Sequence, residues 1–454
     1  MMGPACGTEP PAEEEEADVG EDPIRPPRPS TSKWTLSTIA DGHVGAHLRM
    51  DVSPQGDVGV AFFAIEHEVG ELCEEFELDD KPTKLHWTLH YAQLDAGAWQ
   101  AETVAAPNFS GPPSGLDFKY SPHGVPVIAS MAGDPVWRGT FGYCGVNDAA
   151  LYYREGHENW RIETAVSESN EAATGHGPSD FGYVVGYWPA LAFDSAGDPG
   201  LAYKDVHSGG LQRDDFGRAD LEFARRSGGS WSTVAVDYGG GAGNFNRLIF
   251  DQGDVPIIAY YKPTESHLEE RLGVWVTRLG DDGETWEQVH LFARGAPEGP
   301  DLLVHPDTGD LHVVFYNSRM GNPTLATLGD RAGFESISAW DLEDIGDPAF
   351  DEGYTPSIAV SPTGELALAY YRCARASDGL GDCKDVNDGL IFAWKDGAEW
   401  KREIVDAGGE GECGRRPALR FDGAGRAIIA YRCENLVDGQ VDAHVKFARR
   451  ESLR

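Results

Sequence analysis

The sequence has no run of about 18 apolar residues, so no segment reads as a membrane-spanning helix. It has no basic stripe either. Lys and Arg number 37 against 75 Asp and Glu, a formal charge of −38, and the pairs Arg225-Arg226 and Arg449-Arg450 are isolated. Such a surface repels phosphate backbones, which argues against nucleic acid as a partner. None of the seven cysteines forms a CxxC pair, so zinc-ribbon and thioredoxin readings fall away. No Gly-x-Ser-x-Gly elbow supports Ser/His/Asp hydrolysis. No Asp-x-Asp-x-Asp-Gly loop is present, so no cofactor is expected, with a structural calcium on the acidic surface left open.

What the sequence does have is glycine and proline, 56 and 28 residues, which favours frequent turns over long helices. Residues 1–33 carry Glu13 to Glu16 and then Pro23, Pro26, Pro27 and Pro29, with almost nothing to bury, and read as a disordered tether. Within it, Gly3-Pro4-Ala5-Cys6-Gly7 resembles the start of a mature bacterial lipoprotein. Cys6 is then the expected lipid-bearing residue, and the rival is an unmodified tail. The other six cysteines are an even number, consistent with three disulfides in an oxidising compartment.

Residues 34–454 repeat a unit in three parts. A short apolar strand runs into a turn opened by Asp or Ser and closed by Gly, as in Leu191-Ala192-Phe193-Asp194-Ser195-Ala196-Gly197. The turn glycines are Gly56, Gly124, Gly197, Gly253, Gly309, Gly364 and Gly425. An apolar-aromatic strand follows, such as Ile258-Ala259-Tyr260-Tyr261. Then come a third strand, a polar turn and a strand opening on Trp99, Trp160, Trp231, Trp286 or Trp400, with Phe334 in the fifth unit. Each unit is four strands, A to D, and seven A strands begin near His47, Gly115, Pro189, Asn246, Pro300, Pro356 and Pro417.

The seventh unit lacks strand D, and Trp34-Thr35-Leu36-Ser37-Thr38-Ile39 has its pattern. The expected fold is all-β, a seven-bladed β-propeller whose N-terminal strand 34–39 completes the C-terminal blade, which removes two open edges. The rival is an open stack or two sandwiches. The turn Asp281-Asp282-Gly283-Glu284-Thr285-Trp286 resembles the Asp-box, or BNR repeat, of sialidase-like propellers. That resemblance implies a fold and no activity, because Asp-boxes are structural.

In this fold the A–B and C–D turns share one face and the B–C and D–A loops the other. The turns here are two to five residues, whereas 64–84, 131–148, 166–187, 205–219, 341–355 and 372–389 are long. Long loops on a rigid scaffold are where binding resides, so the B–C/D–A face is the expected working face. Cys373–Cys383, Cys413–Cys433 and Cys73–Cys144 are the expected disulfides there.

Antiparallel pairing of strands A and B brings His47 towards His67, Tyr187 towards His207, Tyr354 towards Arg372, and Arg415 or Arg416 towards Arg432. Lys204, Asp205, Lys262 and Trp188 are further ligand-binding candidates. One chemistry for this set is β-elimination on a uronate-containing glycan, with histidine as base, tyrosine as acid and arginine on the carboxylate. His47, His67, Tyr187 and His207 are its catalytic candidates, and the link to propeller lyases is analogy. A metal held by His47, His67 and His207 has no specific spacing behind it.

A sialidase reading lacks its motif: Asp22-Pro23-Ile24-Arg25-Pro26-Pro27 has the wrong order and lies in the tether. The competing class is a binding module that stacks aromatics on sugar faces. An extracytoplasmic, monomeric glycan-binding propeller is the leading expectation, whether periplasmic, secreted or an outer-membrane lipoprotein, with a lyase or hydrolase as the alternative.

Overall fold

The computed structural model describes residues 33–42, 44–69, 84–105, 115–134, 146–167, 184–206, 219–238, 241–263, 272–293, 299–373, 388–407, 411–437 and 440–451. The side chains of 46, 65–69, 84–86, 133–134, 146–147, 184, 206, 411, 435–437 and 440–441 are outside that description. The compact unit Lys33–Arg454 is a seven-bladed β-propeller of four-stranded blades. Its A strands are Val44–Val52, Asp117–Tyr120, Val184–Phe193, Asn244–Phe250, Asp301–Val304, Asp351–Val360 and Gly411–Phe421. The strand Trp34–Asp41 pairs antiparallel with Gln440–Arg450, placing Trp34 opposite Arg450, so the N-terminal strand is strand D of blade 7.

Each A–B turn is held by its opening residue. Asp194 Oδ1 accepts the N–H groups of Ala196 and Asp198, at 3.0 and 2.8 Å. Asp251, Asp422, Ser53 and Ser361 act alike, and His305 does so through Nδ1 in blade 5. In blade 4 the left-handed residue is Asp254, at φ 58°, and not Gly253. Asp tolerates that region because its short side chain can bond locally.

The Asp-box is self-contained: Asp282 accepts from Glu284 N, Thr285 N and Thr285 Oγ1. Those hydrogen bonds, led by the Thr285 hydroxyl, hold its carboxyl down at about 2.

Strand-D tryptophans staple neighbouring blades. Trp160 Nε1 donates to Glu102, Trp231 to Glu163 and Trp34 to Glu403, at 2.9, 3.0 and 2.9 Å. Each acceptor lies three residues after the tryptophan of the preceding blade. Where that position is Val234 or Ser37, the next indole N–H, on Trp286 or Trp99, has no acceptor among the described residues; Trp400 lacks one too, although Glu343 holds that position in blade 5. Glu102 is the most heavily used, taking Arg154, His157 and the N–H of Glu158 as well. Burial opposes its charge, but those donors win and hold it at about 2.

Blade 5 departs from the expected repeat. Phe334 does not open strand D; it follows a 3-10 turn over Arg331–Gly333, and strand D is Asp341–Asp344 after Trp340. Residues 329–340 therefore form one long C–D connection, not a short turn. Phe334 still fills the core, edge to face with Trp340 at 5.9 Å.

Pro189, Pro356 and Pro417 also lie inside strand A and do not open it. The A–B register slips between Tyr187 and Ala190, Tyr354 and Ser357, and Arg415 and Ala418. Proline has no N–H to give a ladder, so it occupies the bulge where the ladder is broken.

Candidate functional site

Counting back from each A–B turn puts the seven A strands in one frame. The residue that begins the channel-facing part of strand A is His47, Gly115, Trp188, Phe245, Gly299, Thr355 and Arg416 in blades 1 to 7. Six of these have left-handed backbone, with φ 101° and 85° for the glycines and 51°, 55°, 47° and 52° for Trp188, Phe245, Thr355 and Arg416. A side chain in that region costs about 1–2 kcal/mol, and such residues collect where structure serves function.

The side chains of this ring touch one another. Trp188 and Phe245 lie 4.1 Å apart between ring centroids, and His47 meets Trp188 edge to face at 5.2 Å. Arg416 Nη1 donates to His47 Nδ1 at 2.8 Å, and its N–H donates to Thr355 Oγ1 at 3.0 Å. The two glycines make room for the aromatic pair. A Cβ on Gly115 would lie 2.9 Å from Trp188 Cε3, and one on Gly299 would lie 2.3 Å from Phe245 Cβ.

From this ring a channel cavity of about 640 Å³ extends to the A–B turns at Pro306 and Pro362. Its charged lining is Arg49, Lys119, Arg247, Arg416 and Arg420 against Asp51, Asp117 and Asp301, so the channel is positive in a chain of net charge −38. The carboxylates are engaged in joining blades: Asp117 accepts Leu191 N–H, Asp301 accepts Ile358 N–H and Asp51 accepts Tyr120 N–H, at 2.8, 3.0 and 2.9 Å. Burial first, then Arg247, pull the Arg49 guanidinium down to about 9, with Asp117 opposing.

Among the sequence candidates, His47 and Trp188 enter this ring, together with Arg416. Tyr187 is buried beneath Trp188, with ring centroids 5.9 Å apart. Strand A pairs Leu48 with Phe62 and Val44 with Ala64, so His47 sits beside Phe63 and short of His67 along the ladder. The His67 side chain and all of His207 lie outside the described residues.

Lys204 is fully buried, donating to Asn244 Oδ1 and Gly241 O at 2.6 and 3.0 Å, and burial pulls it down to about 7. Asp205 is buried beside it. Lys262 pairs with Asp237 at 2.6 Å, and that carboxylate also takes the Tyr260 hydroxyl. Tyr354 stacks on Tyr316 and donates to Asp351. Arg372 lies over Phe350, and Arg432 pairs with Glu434. Cys413–Cys433 is a disulfide between facing residues of strands A and B. Cys6, Cys73, Cys144 and Cys383 are outside the described residues, as is most of the long B–C and D–A loops.

Sequence reasoning missed Phe245, Thr355, Arg49, Lys119, Arg247 and Arg420. A signal was present: lining up the seven A strands on their turns sets Trp188, Phe245 and Arg416 where two blades carry glycine. Among the described residues no group of three His, Cys, Asp or Glu is placed to hold a metal ion. No described helix is long and apolar enough to cross a membrane.

No family model matches the chain, and no curated protein matches it. Among solved structures it is similar to a Hadza microbial sialidase, at 14% identity over 81% of this chain and 73% of that one, with a TM-score of 0.43. It is similar to the NanB sialidase of Streptococcus pneumoniae at 10% identity, covering 91% and 68%, with a TM-score of 0.45. The alpha-L-arabinofuranosidase Arb93a of Fusarium graminearum matches at 11%, covering 92% and 98%, with a TM-score of 0.44.

Proposed function

We propose that this propeller is an extracytoplasmic binding protein that recognises a glycan at the channel mouth on its B–C/D–A face. The observation that carries this is the ring of blades 3, 4 and 7. Trp188, Phe245 and Arg416 hold left-handed backbone at the position where blades 2 and 5 carry glycine. What that strain secures is an aromatic pair beside a guanidinium–imidazole pair. Aromatic faces take the apolar side of a sugar ring, and a guanidinium takes a carboxylate or hydroxyls. The positive channel behind the mouth favours an acidic glycan.

The test is a glycan array on the full chain, with an ultraviolet assay for unsaturated uronate on acidic polysaccharides. Saturable binding of uronate- or sialate-bearing glycans, lost in Trp188→Ala, is the expected result. No glycan binding at all would end this reading. Turnover abolished by His47→Ala would replace the module with the lyase.

A further inference from the structure

Below the ring the channel has two unlike walls. Four residues further along strand A stand Asp51, Lys119, Ala192, Ile249, Leu303, Ala359 and Arg420, in blades 1 to 7. At this level blades 7, 1 and 2 therefore form a charged arc, and Ile249, Leu303 and Ala359 of blades 4 to 6 line the cavity opposite it with an apolar one, below the Arg247–Asp301 pair at 3.4 Å. Arg420 is tied to Asp51 at 3.3 Å. Lys119 makes no hydrogen bond or ion pair among the described residues, and Arg49 Nε, one layer above, is buried with no hydrogen-bond acceptor. Its closest carboxylate, Asp117, is 3.7 Å away and already accepts two backbone N–H groups.

A buried cationic donor without an acceptor is costly, and unlike walls around a cavity of about 640 Å³ define what would relieve it. We propose that the channel holds a second site, opening towards the A–B turns, for a small amphiphilic anion. Its carboxylate is taken by Arg49 and Lys119, and its hydrocarbon body lies on Ile249, Leu303 and Ala359. An inorganic anion would leave the apolar wall unused, and a neutral alcohol would leave the donors unmet. This site is independent of glycan binding at the mouth and needs no part of the long loops.

The experiment is calorimetric titration of the full chain with octanoate, with sulfate and 1-octanol as comparison probes. One equivalent of octanoate should bind, with sulfate and octanol each weaker by at least about tenfold, the loss of one charge-assisted or apolar contact set. Lys119→Met loses no existing bond and should keep its melting temperature while weakening octanoate about tenfold. Leu303→Gln should weaken octanoate without strengthening sulfate. Absence of octanoate binding at millimolar concentration would overturn the site, as would uptake of several equivalents. So would sulfate binding as tightly as octanoate, or octanoate affinity unchanged in Lys119→Met.

Discussion

The same strand-A position is glycine in blades 2 and 5 and a side chain in blades 3, 4, 6 and 7, although all six have left-handed backbone. Gly115 and Gly299 are the unstrained solution, and each lies against an aromatic of the neighbouring blade. Trp188, Phe245, Thr355 and Arg416 carry strain and line the channel cavity. The outer rim shows the opposite arrangement. There the repeated tryptophan is buried or half-buried, and in three blades its N–H finds a glutamate of the preceding blade. The rim varies in how well it is stapled. The inner ring varies in what it presents, and that is the kind of variation expected where a scaffold meets a ligand.

Reversing the glycine side of that contrast should have the largest effect. Gly299→Ala adds a Cβ that meets Phe245 Cβ at 2.3 Å in a left-handed residue, so it should cost about 3 kcal/mol in urea unfolding. An unfolding midpoint equal to wild type would mean that the ring is not packed as described.

Breaking a rim staple comes next. Glu102→Gln should cost about 2 kcal/mol at neutral pH through its charge-assisted bonds. The folded value of Glu102 lies below its ordinary one, so its contribution is full above about 4.5 and fades as pH falls towards about 2. The gap between wild type and variant should close over that window in a pH series of thermal melts. A gap independent of pH would assign the effect to packing.

Smaller is Arg416→Gly, which exchanges relief of left-handed strain for loss of the bond to His47. Its net stability change should be under about 1 kcal/mol, read by the same unfolding curve, in contrast to Gly299→Ala. The smallest effect is a gain. Val234→Glu supplies the acceptor that Trp286 lacks and should add about 0.5 kcal/mol. A loss would show that Val234 contributes more through burial than a hydrogen bond returns.

Much of the ring was legible because its chemistry repeats. Asp or Ser opening a turn, glycine near its end and tryptophan opening strand D recur at one period, and the unpaired Trp34 strand required closure. The departures have local causes. His305 opens its turn through a ring nitrogen, which a Ser/Asp pattern does not anticipate. Blade 5 moves its strand-D aromatic to Trp340 because two 3-10 turns intervene. The site was less legible. His47 was named for its place at the start of strand A and Trp188 as an aromatic suited to binding, but Phe245 and Arg49 look like ordinary strand residues until the bulges set the frame. Lys204 and Lys262 were named as ligand-binding candidates at the channel mouth, and the fold buries them in bonds between blades 3 and 4.

The most direct measurement is a glycan-array comparison of wild type with the double variant Trp188→Gly/Phe245→Gly. Glycine keeps the left-handed backbone without strain and removes only the aromatic pair. A folded, cooperatively melting variant that has lost the glycan signal of the wild type is the predicted result. An equally stable variant with the glycan signal intact would contradict the placement of recognition at the channel mouth.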